Sequence, residues 1–242
     1  MPDGTVRIMN RINWLFTATS LSVVLVSVER FSFTTRILLP PFDFLRLHEL
    51  VQMAAIILVT VVIPALLFRE VSGNFSALSA RGGAAVFLVF VVGVYYYSTG
   101  NGVHELASFT FNTYCDTATV SGNLCGGLFI NDFYTGNILF FVGGLLMNVA
   151  LLVLERRNPH SPVVGGAFVV LLINAVVYAV TVVAYAGFDR VVVGLVYSVV
   201  QCVVALAFLL SVRSRYRQFP LITYLAVAYT LGAVASAVVR LR

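Results

Sequence analysis

The chain of 242 residues contains no lysine, three cysteines, three histidines and one tryptophan, and only 10% of its residues are charged. Each shortage excludes something. Soluble domains carry about 25% charged residues, so a chain that is 60% hydrophobic, with mean hydropathy +0.97, belongs to the integral membrane class. All 15 basic residues are arginines, scattered between apolar runs and not gathered in a block. A formal charge of +5 distributed in that way points to topology signals and anionic lipid headgroups as partners, and excludes nucleic acid. The missing lysine excludes a retinal Schiff base, and with it a retinal-based pump or sensor.

Seven apolar runs are present, at about residues 12–28, 50–68, 83–98, 134–154, 163–187, 191–212 and 221–239. Each is long enough, or nearly so, for roughly 30 Å of hydrocarbon. The expected fold is an all-α bundle of about seven transmembrane helices, one transmembrane domain over residues 1–242. The first run follows an arginine-bearing N-terminus, as in a signal peptide, but no small-residue cleavage site follows it, so it reads as a retained helix.

Arginine placement predicts the orientation. A cytoplasmic N-terminus puts nine arginines inside (Arg7, Arg11, Arg69, Arg81, Arg156, Arg157, Arg213, Arg215 and Arg217) and six outside (Arg30, Arg36, Arg46, Arg190, Arg240 and Arg242). The positive-inside rule favours this arrangement, with the C-terminus outside, in what we expect to be a prokaryotic cell membrane.

Residues 100–133 then form an outer segment without arginine that holds Glu105, Asp116 and Asp132. Cys115 and Cys125 in that segment are expected to form a disulfide, which an oxidising compartment permits. Gly100-Asn101-Gly102 reads as a helix stop. Ser108, Thr110, Asn112 and Tyr114 alternate with Ala107, Phe109, Phe111 and Thr113 as in a half-exposed strand. We therefore expect an ordered outer cap over 100–133, with Leu128, Phe129, Ile130 and Phe133 dipping back to the bilayer surface. The earlier outer loop, apolar around Pro40 and Pro41, reads as an interfacial segment. Asn148, Asn174 and Gln201 are expected to hydrogen-bond across helices, glycines to mediate helix contacts, Pro64 to kink the second span, and Cys202 to pack.

The residues that could carry chemistry are few. The tripeptide His-Glu-Leu occurs twice, at His48-Glu49-Leu50 and His104-Glu105-Leu106, and both copies fall on the same membrane face. His48 and His104 are candidate ligands for a divalent metal, with Glu49, Glu105 or Asp132 as candidate catalytic bases. Neither copy is a metalloprotease motif, because the fifth position is Gln52 in one and Ser108 in the other where that motif needs a second histidine. The bland alternatives are interfacial histidines, with Glu49 and Glu105 as helix N-terminal charges, or histidines that sense pH. Asp132 reads as a cap of the fourth helix.

The last four runs hold no Asp, Glu, Lys, Arg or His away from their ends, which disfavours classical proton-coupled transport. Three functions are compatible with these residues. The one that asks least of them is a non-enzymatic membrane component that binds lipids or the protein subunits of a membrane complex. The others are a metal-assisted membrane hydrolase built on the outer His/Glu/Asp residues, and a channel or carrier for a neutral solute.

Overall fold

The computed structural model describes the backbone of residues 3–242 and side chains from Arg11 onward. Asp3 and Arg7, both on the cytoplasmic side in the expected topology, have side chains outside the described residues. The chain is 81% helical, and seven of its helices are long and apolar enough to cross a membrane. They are α1 (Asp3–Glu29), α2 (Leu47–Val71), α3 (Gly83–Tyr114), α4 (Asn123–Arg157), α5 (Gly166–Gly187), α6 (Val193–Val212) and α7 (Pro220–Arg240). The fold is an all-α seven-helix membrane bundle.

Helix α7 is the central element, with 56% of its most apolar window buried against 22–39% for the other six. Tyr224 stacks on Phe16 of α1 at 4.7 Å. Tyr229 is the hub of a phenol chain, 3.2 Å from Tyr178 and 2.8 Å from Tyr197. Ser20 ties α1 to this core through Tyr224 and the Asn174 carbonyl. Asn174 crosses to Thr17 as expected, but Gln201 is fully buried and neither side-chain polar atom has a partner among the described residues. Cys202 is half-buried beside Thr230, and Pro64 lies inside α2.

The α3–α4 pair is built on glycine. Gly93 and Gly100 on α3 face Gly143 and Gly136 on α4 at seven-residue spacings, which keep one seam turned to an antiparallel partner. A Cβ on Gly100 would lie 2.2 Å from the Phe140 backbone nitrogen, and one on Gly143 would lie 2.2 Å from that of Tyr97. No side chain fits there, so the two backbones touch.

This contact corrects the expected outer cap. Gly100-Asn101-Gly102 does not stop a helix; α3 runs through it to Tyr114, and α4 begins at Asn123. Residues 107–114 are helical and not a strand. Glycine costs about 1 kcal/mol in a helix interior, and the contact with Phe140 offsets that cost. The alternation misled because residues 109 and 111 are both buried, Phe111 by α4 aromatics: it lies 5.7 Å from Phe129 and 6.2 Å from Phe133. What remains of the cap is the short turn between Tyr114 and Asn123, closed by a disulfide between Cys115 and Cys125.

The loop between α1 and α2 leaves Phe31 and Phe42 90% and 86% exposed, as an interfacial segment would. On the same face, Arg240 donates to the carbonyls of Ala186, Asp189 and Val191 and clamps the α5–α6 turn.

Candidate functional site

Both His-Glu pairs line one polar cavity of about 210 Å³ on the membrane face that carries the disulfide. Arg30 and Thr35 reach it from the end of α1 and the following loop, Arg46 from the start of α2, and Ser108 from α3. Two devices bring these helices together. Gly136 lets α4 approach α3 until a Cβ there would lie 2.8 Å from the His104 backbone nitrogen. Each of α2 and α4 also contains one π-helical turn, Val51–Ile56 just after the first His-Glu pair and Asn131–Gly136 around Asp132. Such turns insert a residue and re-aim the side chains beside them.

Each histidine has its own carboxylate. Nδ1 of His48 contacts Glu29 Oε2, and Nε2 of His48 lies 4.0 Å from Glu105 Oε2. His104 Nδ1 lies 2.8 Å from Asp132 Oδ1 and 3.0 Å from the Asp132 carbonyl. Only His104 Nδ1, on the Asp132 carbonyl, is hydrogen-bonded; His48 Nδ1 and Asp132 Oδ1 touch their partners as ion-pair contacts without hydrogen-bond geometry. A carboxylate beside Nδ1 favours a proton there and leaves Nε2 for the cavity. Among the described residues, no three His, Cys, Asp or Glu side chains are placed to hold a metal ion.

The acids divide by what satisfies them. Glu49 is 1% exposed and occupied: it accepts from the Arg46 backbone N–H at 3.1 Å and Nε at 2.9 Å, a capping box at the start of α2. Asp132 is not a helix cap, since α4 begins nine residues earlier; it is 1% exposed and serves His104. Glu105 is not at a helix start either. It is 6% exposed in the interior of α3, lines the cavity, and has no hydrogen-bond donor among the described residues. Arg46 is neutralised by Glu49 and lies over the Phe109 ring at 5.1 Å, whereas Arg30 is exposed with no carboxylate within salt-bridge reach among the described residues. Burial pushes the carboxyl of Asp189, in the α5–α6 turn, above the usual carboxylate range.

Glu29 follows the first apolar run directly, at the end expected to be outside, and nothing in the sequence assigns it a role. Its carboxylate holds His48, and it accepts from Gln52 Nε2 at 3.0 Å and Ser32 Oγ at 3.2 Å. A signal was present. Gln52 stands four residues after His48, one turn along the same helix face, and Ser108 stands four after His104. The fifth position of each echo therefore belongs to the site.

Comparison of the chain with models of protein families, with curated proteins and with solved structures finds no match. The guide to function is the geometry of the cavity.

Proposed function

We propose that the protein is a binding component of a prokaryotic cell membrane, with its N-terminus in the cytoplasm, and that its outer-face cavity takes the headgroup of a zwitterionic lipid. One observation carries the reading: a buried carboxylate without a donor, Glu105, shares a polar cavity with Arg30, a guanidinium that no carboxylate among the described residues neutralises. A buried carboxylate without a donor is costly, and the nearest cation to Glu105 among the described residues is His48 Nε2 at 4.0 Å; a ligand that brings a cationic donor to Glu105 lowers that cost while its anion meets the exposed Arg30. An ethanolamine phosphate does both, with three N–H donors for the carboxylate and phosphate oxygens for the arginine fork. At about 210 Å³ the cavity is smaller than the roughly 300–1,000 Å³ of pockets for drug-sized ligands, which favours a small polar group over a bulky ligand.

The location agrees with the chemistry. The cavity lies beside a loop whose exposed phenylalanines suit the headgroup level. The disulfide supports placing this face outside, in an oxidising compartment, as does the nine-to-six arginine count. The test is co-purification in nanodiscs of mixed phosphatidylethanolamine, phosphatidylcholine and phosphatidylglycerol, with retained lipid identified by native mass spectrometry. Phosphatidylethanolamine should be retained about tenfold over phosphatidylcholine, whose trimethylated amine cannot donate, a difference of about 1.4 kcal/mol. Equal retention of all three would contradict the reading.

A further inference from the structure

The cavity holds more than headgroup binding requires. Two imidazoles stand in it, each with Nδ1 in ion-pair contact with a carboxylate from another helix, Glu29 of α1 for His48 and Asp132 of α4 for His104. A carboxylate beside Nδ1 favours a proton on that nitrogen, as the Asp132 carbonyl does for His104, and presents Nε2 as the working nitrogen. One such dyad is a common structural pair. Two that open onto one cavity with an un-neutralised arginine are the parts of a general acid–base site for an ester bearing negative charge.

We propose that this cavity is a metal-free acid–base centre that hydrolyses the phosphodiester of the headgroup it binds, an inference that rests on the headgroup reading above. His104 has the more open side chain, 21% exposed against 8% for His48, and takes the proton of a water at Nε2 as the water oxygen attacks phosphorus. The P–O bond to the leaving alcohol breaks, and the proton on Nε2 of His48 passes to the leaving oxygen. Arg30 holds the non-bridging oxygens. The products are a phosphate monoester and an alcohol. The proton gained by His104 and the one lost by His48 are exchanged with solvent, so the sum is the diester plus one water. No oxidant or metal enters. Glu29 and Asp132 act as positioning residues through the rings they hold.

The experiment is ³¹P NMR of phosphatidylethanolamine in mixed micelles with the purified protein, at pH 5 to 9 and with a chelator present. The wild type is expected to release a monoester, either phosphoethanolamine or phosphatidic acid according to which P–O bond breaks, with a bell-shaped pH profile. That profile reflects the two rings among Glu29, Glu49, Glu105, Asp132, Arg30 and Arg46, the charged groups packed around them, with Asp189 of the α5–α6 turn also acting on His104. His48→Gln and His104→Gln should each lose about 10²-fold or more in turnover while still retaining phosphatidylethanolamine. Asp132→Asn and Glu29→Gln should lower turnover and displace the pH profile, which a merely structural role would not do. His160→Gln, on the opposite face, should leave turnover unchanged. Absence of a monoester from folded wild type at every pH overturns the proposal, as does turnover that the chelator abolishes and zinc restores. Absence of turnover with phosphatidylethanolamine still retained defeats this inference alone; absence of retention defeats the headgroup reading as well.

Discussion

The two ends of the bundle each bury a glutamate, and they treat it differently. At the end opposite the disulfide, Glu155 of α4 is fully buried and fully employed: its two oxygens accept from the backbone N–H groups of Leu221 and Ile222 at 2.8 and 2.7 Å. Pro220 opens α7, so the carboxylate supplies the first free donors of that helix with a partner and meets its dipole. At the disulfide end, Glu105 is almost as buried but has no donor among the described residues and faces a cavity with Arg30. Burial alone does not mark a functional acid. What separates the two is whether the fold itself satisfies the charge.

The largest effect that would break this comparison is at Glu155. Glu155→Ala leaves two buried N–H groups unsatisfied at about 1–3 kcal/mol each, so thermal unfolding in detergent should fall by several degrees, whereas Glu105→Ala should be near neutral or stabilising. Equal losses at both sites would mean that Glu105 is structural. The disulfide comes next. Cys115→Ser opens a ten-residue link and should cost about 2–3 kcal/mol in the chain-entropy model, with lipid retention intact, because neither cysteine lines the cavity.

The glycines give a smaller and more local effect. Gly100→Ala forces apart two helix backbones and should destabilise by about 1–3 kcal/mol. It should also weaken lipid retention, since the same seam brings Asp132 to His104. Gly102→Ala, with nothing within 4 Å, should gain up to about 1 kcal/mol from helix propensity. A matching loss at both positions would restore the helix-stop reading.

The smallest effect is that of His160. It lies outside the spans, with Nε2 3.9 Å from Glu155 Oε1, and burial lowers its pKa below the ordinary histidine value. Its folded-state pKa being depressed, the unfolded chain takes up the proton first. Stability should therefore hold above about pH 6.5 and fall as pH drops below that value. Melting temperatures measured between pH 8 and 5 should show this slope in the wild type and a shallower one in His160→Gln.

Hydropathy and length made the seven spans legible because lipid demands long apolar helices. The ends of α3 and α4 were not legible, since both helices run well past their apolar runs, where sequence offers only glycine and polar residues. Gly100 as a helix stop and Gly100 as a contact look alike until the partner backbone is known. The site was half legible. The His-Glu echo named four residues of the cavity, and the alternation of spans put them on one face. That Glu29 holds His48 depends on which helices are neighbours, which one chain's sequence does not encode locally.

The most direct test of the central claim sets the two glutamates side by side. Native mass spectrometry of Glu105→Gln and Glu155→Gln, prepared in the same phosphatidylethanolamine and phosphatidylcholine nanodiscs, should show phosphatidylethanolamine lost from the first variant and retained by the second, whose remaining amide oxygen still caps α7. Retention by Glu105→Gln at the wild-type level would contradict the claim that this carboxylate is kept unsatisfied for a ligand.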